Sequence, residues 1–191
     1  MIRELVLQNR SIRRFKEEFL IESETLRELV DLARLTPSAR NMQPLKYILS
    51  SDPKTNSIIF SALGWAGYLK DWNGPEKGER PSAYIIILGD KNVTDNYWCD
   101  HGITAQTILL GAVEKGLAGC MIGTIDREIL YEGLSIPKDY DILLVLALGK
   151  PAEQIVLEEK NKNGDIKYWR DDQGIHHVPK RPLEELIVKA Y

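Results

Sequence analysis

The chain has 191 residues, 43% of them hydrophobic and 28% charged, and a net charge of −3. That length suits one domain with a sizeable core. No apolar run of about 18 residues is present to span a bilayer, and the acidic balance excludes the broad basic footprint of a general nucleic-acid binder. The opening MIRELVLQNR reaches charged residues too early for a signal peptide, so a cytoplasmic protein is expected.

Ile2–Gln8 reads as a short helix, and NRSIRRF (Asn9–Phe15) follows, with three arginines within five positions of an acidic chain. In an extended segment alternate residues share a face, so Ser11 and Arg13 project together while Ile12 turns to the core. A guanidinium and a hydroxyl on one face suit phosphate or carbonyl oxygens. A solvated basic stretch is the other reading. From Ser23, a candidate cap, Leu26, Leu29, Val30 and Ala33 recur at helical spacing, and Pro37 disfavours helix at Thr36.

PSARNMQP then sets Ser38, Asn41 and Gln43 between two prolines. Amides both donate and accept, as a ring of alternating carbonyls and nitrogens requires. A turn-forming, helix-capping loop also accounts for Ser38 and Asn41. A strand is predicted over Lys46–Ser50 and a helix over Ser57–Trp65, then a loop rich in Gly, Trp and charge.

AYIIILGD (Ala83–Asp90) has the continuous apolar character of a fully buried strand. Asp100–Lys115 is a helix apolar on all sides, which is either buried all round or paired with another subunit. GCMIG (Gly119–Gly123) reads as a central strand. Its glycines suit either tight helix–strand packing or close approach of a flat ligand to the backbone. Asp126 caps a short helix ending at Gly133, and DILLVLALGKP supplies another buried strand. Ala152–Lys180 is mostly polar and lacks a core of its own, so it is an appendage or wraps a partner. An amphipathic helix is expected from Pro182.

Cys99 and Cys120 form no CxxC, and His101, His176 and His177 show no HExxH spacing. No metal site or disulfide framework is expected. No catalytic acid–base or nucleophile set is identifiable. Neither GxGxxG nor GxxxxGK[ST] is present.

Taken in order, the early RSIRRF, the PSARNMQP loop, the buried helix, GLAGCMIG, LGKP and the late PKRPLEEL resemble the nitroreductase family of flavoproteins along essentially the whole chain. The resemblance implies a single α+β domain over 1–191. Its mostly antiparallel sheet is flanked by helices, and an arm at 152–191 is exchanged in a homodimer. It implies one FMN per subunit, with NAD(P)H as electron donor and a small electron-poor molecule as acceptor.

Carried over by position, Arg10, Ser11 and Arg13 fall on the early flavin motif, with Arg13 near the ring atoms that gain negative charge on reduction. Ser38, Ala39, Arg40, Asn41 and Gln43 match the loop laid against the flavin by the partner subunit. Ile122 and Gly123 match the strand end facing the hydride-accepting nitrogen. Asn73 lies where some relatives offer an amide, and Lys180 and Arg181 match the residues that hold the phosphate. Asn9–Arg10 stands where many relatives carry two basic residues, and QPLKY where QPW is commoner.

The activity implied is ping-pong reduction of nitroaromatics or quinones, in which the protein binds, orients and tunes the flavin. Alternatives within the fold are dehalogenation, flavin fragmentation or oxidation of peptide heterocycles. A further alternative is a non-enzymatic flavin store or redox sensor.

Overall fold

The computed structural model describes residues 1–160 and 164–191. Residues 161–163, part of the expected arm, lie outside the described residues. The chain forms two compact units, one of residues 1–65 and 74–152, the other of residues 66–73 and 153–191.

The first unit is built on two long hydrophobic strands. β3 (Ala83–Asp90) is buried at every position, as its unbroken apolar run demands. It pairs antiparallel with β2 (Leu45–Ser50) on one side and β5 (Tyr140–Pro151) on the other. The far side of β5 holds β1 (Phe15–Lys16) and β4 (Ala118–Ile122), also antiparallel.

Alternation along β3 sends Ile85 and Ile87 to one face and Tyr84, Ile86 and Leu88 to the other. The first face is covered by α2 (Ser23–Arg34) and α4 (Asp100–Glu114), the second by α3 (Pro53–Ser61) and α5 (Arg127–Gly133). α2 buries Leu26, Leu29 and Ala33, the stripe its spacing predicts. α1 (Ile2–Gln8) buries nothing. The α+β architecture with an antiparallel sheet is as expected.

Several boundaries differ. Ser23 is the first helical residue of α2, not its cap, and that helix ends at Arg34, before Pro37 acts. There Thr36 donates its hydroxyl to the Ala33 carbonyl. α3 begins at Pro53, four residues before Ser57, because the Asp52 carboxylate accepts the Thr55 N–H and proline is favoured at the first helical position. β4 is not central: among the described residues its strand partner is β5 alone, and its outer side receives the Ile12 N–H at Gly119 O.

The second unit answers the question of a tail without an apolar core. β6 (Ile155–Glu159) runs parallel to β8 (His176–Lys180), and β7 (Trp169–Arg170) joins β8 antiparallel. Rings and charges hold it: Tyr68 meets Tyr168, Trp169 stacks on His177 at 4.1 Å, and Arg170 pairs with Glu153 at 2.9 Å. The expected helix from Pro182 is one short 3-10 turn, Leu183–Glu185, with no buried residue. Leu183, Leu186, Ile187 and Val188 are exposed.

Candidate functional site

The Arg10–Phe15 segment lies along the outer edge of β4. Ile12 is buried and Phe15 fully so, while Ser11 is exposed and Arg13 half-buried. The alternation therefore puts Ser11 and Arg13 on the solvent side. Arg13 Nη1 donates to the Ser11 carbonyl at 3.1 Å, which folds the guanidinium back along that face. Arg10 has intramolecular partners: Nε donates to Asn9 O and Nη2 to Val6 O at 2.7 Å. It thereby serves the C-terminal carbonyls of α1, where a cation is favoured. Partial burial pulls the Arg10 pKa down from its ordinary value. Arg14 pairs with Glu79 at 3.2 Å.

The segment leads onto a strand whose two glycines have different reasons. A Cβ on Gly119 would sit 2.6 Å from Ala147 O and from a Leu109 methyl, so packing alone requires glycine there. A Cβ on Gly123 would meet nothing within 4 Å. Ile122 is buried and Gly123 exposed, so the strand ends in an open backbone wall that the described residues leave uncovered.

The PSARNMQP loop is strained and firmly braced. Arg40, Asn41 and Gln43 all take positive φ, between 51° and 55°, although none is glycine. Such residues cost about 1–3 kcal/mol each and persist only where their surroundings fix them. The brace is Asp100, buried at the start of α4. Its carboxylate accepts the Ser38 hydroxyl at 2.6 Å and the Ala39 N–H at 3.1 Å. Ser38 Oγ in turn accepts the Gln43 N–H at 2.9 Å. Ser38 is thus an internal strut. Arg40, Asn41 and Gln43 are exposed.

Beneath the loop a cavity of about 160 Å³ is lined by Pro37, Ser38, Gln43, Tyr47, Asp100 and Thr104. Burial pushes the Tyr47 phenol up, against a hydrogen bond with Thr104, and the Asp100 charge adds to the rise. Asp100 is the residue that sequence reasoning missed as part of this arrangement. Its only signal was an acid in the first turn of a helix.

The remaining candidates belong to the second unit. Asn73 is exposed, Lys180 ends β8 and is exposed, and Arg181 donates to Glu185 at 3.2 Å. The structure therefore joins Arg10, Ser11 and Arg13 to the strand of Ile122 and Gly123, and anchors residues 38–43 separately on α4.

FMN carries a phosphate and a flat ring edged with acceptors and donors. The first unit meets those requirements with exposed donors of both kinds, a half-buried fixed guanidinium and an open backbone wall at Gly123. The residues fit the group.

Comparisons with known proteins agree with the fold. A sequence model described as "Nitroreductase family" matches residues 6–150. "Putative NAD(P)H nitroreductase MhqN" of Bacillus subtilis is 24% identical, covering 76% of this chain and 86% of that protein. A "5,6-dimethylbenzimidazole synthase" of Rhodospirillum rubrum is 23% identical, over 81% of this chain and 84% of its own. Among solved structures, "a putative nitroreductase in complex with fmn" from Desulfovibrio desulfuricans superposes with a TM-score of 0.71 at 22% identity, covering 100% of this chain and 96% of that one. Among the described residues no helix is long and apolar enough to cross a membrane.

Proposed function

The chain belongs to the nitroreductase family of oxidoreductases, and we propose that it binds FMN, takes electrons from NAD(P)H and passes them to electron-poor acceptors such as nitroaromatics or quinones. The observation that carries this reading is the loop over Ser38–Gln43. Three exposed non-glycine residues are held in left-handed backbone by one buried carboxylate. Strain kept at a donor-rich loop is what a preorganised binding site requires.

FMN supplies the hydride-accepting and hydride-donating chemistry when bound. The chain's share is to hold and tune it. Arg13, its side chain tied to Ser11 O, provides a fixed cation for ring atoms that become negative on reduction. Ser11 adds a hydroxyl on the same face. Asn41 and Gln43 offer amides that both donate and accept, and Arg40 adds a charge beside them. Ser38 and Ala39 transmit the grip of Asp100 to that loop. Ile122 and Gly123 form the backbone wall whose N–H faces the hydride-accepting nitrogen, with no side chain on Gly123 to bar a flat ring's approach. Asn73, Lys180 and Arg181 are assigned to the pyrimidine edge and the phosphate. A homodimer, in which the loop closes over the partner's flavin, and a cytoplasmic setting complete the proposal. No acid–base residue is assigned, and water delivers the protons.

The relative named 5,6-dimethylbenzimidazole synthase supports a second reading in which the flavin itself is consumed. One experiment addresses both. The absorbance of the purified, FMN-loaded protein is recorded before and after anaerobic NADH or NADPH. A band near about 450 nm that bleaches on donor addition and returns with a nitroaromatic is the expected result. A band that donor cannot bleach argues for a store or sensor. Irreversible loss of the band in oxygen argues for flavin consumption.

A further inference from the structure

A second cavity, of about 290 Å³, lies in the first unit where the starts of α3 and β3 meet. None of the residues assigned to the flavin lines it. Its walls hold polar groups that the fold leaves unused. The Arg80 guanidinium lies over the Phe60 ring, 4.3 Å from its centroid, and its Nε is buried without a hydrogen-bond partner among the described residues. Ser82 is 5% exposed, and its hydroxyl is likewise buried and unpartnered among those residues. Both line this cavity.

Unpaired buried donors are costly, so two in one cavity wall point to a ligand that accepts from them. The backbone there is fixed for another reason. Asn56 donates its amide to Ser82 O at 2.8 Å and accepts the Ser50 hydroxyl at 2.7 Å, which holds Ser82 in place and leaves its Oγ free.

The charge pattern narrows the ligand. Glu17 lines the same cavity, with Oε2 accepting the N–H groups of Gly78 and Arg80. This fixed carboxylate repels a dianion about twice as strongly as a monoanion, whose single charge the Arg80 fork can match. The start of α3 does not compete for an anion, because Asp52 already takes the Thr55 N–H and Pro53 has none. Phe60, Pro53 and Leu20 supply apolar surface. The planar fork of arginine matches a carboxylate in two parallel hydrogen bonds.

We propose that this cavity is a second small-molecule site for a monocarboxylate, held by the Arg80 guanidinium and the Ser82 hydroxyl with its apolar body against Phe60.

Calorimetric titration of the FMN-loaded protein with sodium benzoate, and separately with inorganic phosphate, tests it. The unmodified protein should bind benzoate more tightly than phosphate. Arg80→Met keeps the stem over Phe60 and should weaken benzoate about tenfold or more, the loss expected for a charge-assisted pair. Ser82→Ala should weaken it several-fold, and Glu17→Gln should strengthen phosphate more than benzoate. Circular dichroism and bound-flavin absorbance check that each variant is folded. Should Arg80→Met not fold, Ser82→Ala and Glu17→Gln carry the test. Absence of benzoate binding, benzoate affinity unchanged in Arg80→Met or in Ser82→Ala, or phosphate bound as tightly as benzoate would each overturn the proposal.

Discussion

Asp100 shows how one side chain organises the candidate site. Two donors of the loop end on its carboxylate, and the positive φ values at Arg40, Asn41 and Gln43 depend on that anchor. Asp100→Ala removes the acceptor for a hydroxyl and a backbone N–H. Stability should fall by about 1–3 kcal/mol, the cost of stranding such donors, and FMN should bind more weakly. Thermal melts and flavin titration measure the two separately. A lower melting temperature with unchanged FMN affinity would remove the loop from the flavin site. The two glycines of β4 make a matched pair. Gly119→Ala forces a methyl against the Ala147 carbonyl and should destabilise the fold by about 1–3 kcal/mol. Gly123→Ala meets nothing among the described residues, so it should melt like the unmodified protein yet hold FMN less tightly. Equal FMN affinity in Gly123→Ala would move the ring away from that wall.

The elements differ in how openly the sequence announces them. α2, α4, β3 and β5 are legible because each buries a continuous stripe or face, and apolar spacing encodes burial directly. α3 is placed late by spacing alone, since its start is set by Asp52 and Pro53 rather than by hydrophobic residues. The loop at Ser38–Gln43 is legible as a cluster of donors, but its brace is 62 residues away in sequence, so only the fold reveals it. Of the strands of the second unit only β6, IVLEE, carries an apolar run. Their adhesive is His177, whose Nδ1 faces Glu158 at 2.5 Å and whose Nε2 faces Asp171 at 3.2 Å. These contacts, Asp171 first, raise the His177 pKa above its ordinary 6.5. Burial pushes Asp171 up, but the His177 hydrogen bond and the N–H groups of Ile175 and Gln173 outweigh it and hold that carboxyl below its usual range. The His177 contribution to stability is therefore complete below pH 6.5 and lost as pH rises through the raised value. The Asp171 contribution is present above its ordinary pKa and lost as acid titrates the lowered one. The clasp holds between those limits. Because Trp169 stacks on the His177 ring, its fluorescence should change with a midpoint above 6.5, and His177→Gln should abolish that transition. A midpoint at or below 6.5 in the unmodified protein would contradict the paired imidazolium.

For the whole molecule, the decisive feature is apolar surface that the first unit does not use. α1 has no buried residue, yet Ile2 is 66% and Leu7 50% exposed. A helix of seven residues is not stable on its own propensity, so α1 requires packing. Ile103 also stands exposed on α4, a helix with apolar residues all round. Exposed apolar groups gathered on neighbouring elements are expected of an interface, and a second copy of this chain is the occupant the proposed function calls for. Light scattering after gel filtration should give twice the 21.8 kDa chain mass. Ile103→Arg sets charges against each other across a two-fold axis and should shift the protein toward monomer. If the Ser38–Gln43 loop of one subunit closes over the flavin of the other, dimer dissociation and flavin release are linked by mass action. Dilution should then lower the mass and free FMN fluorescence should rise over the same concentration range, with Ile103→Arg moving both transitions to higher protein concentration together. Monomers that retain their flavin would mean that each chain holds FMN without its partner's loop, and the assignment of Arg40, Asn41 and Gln43 would fall while the dimer stood.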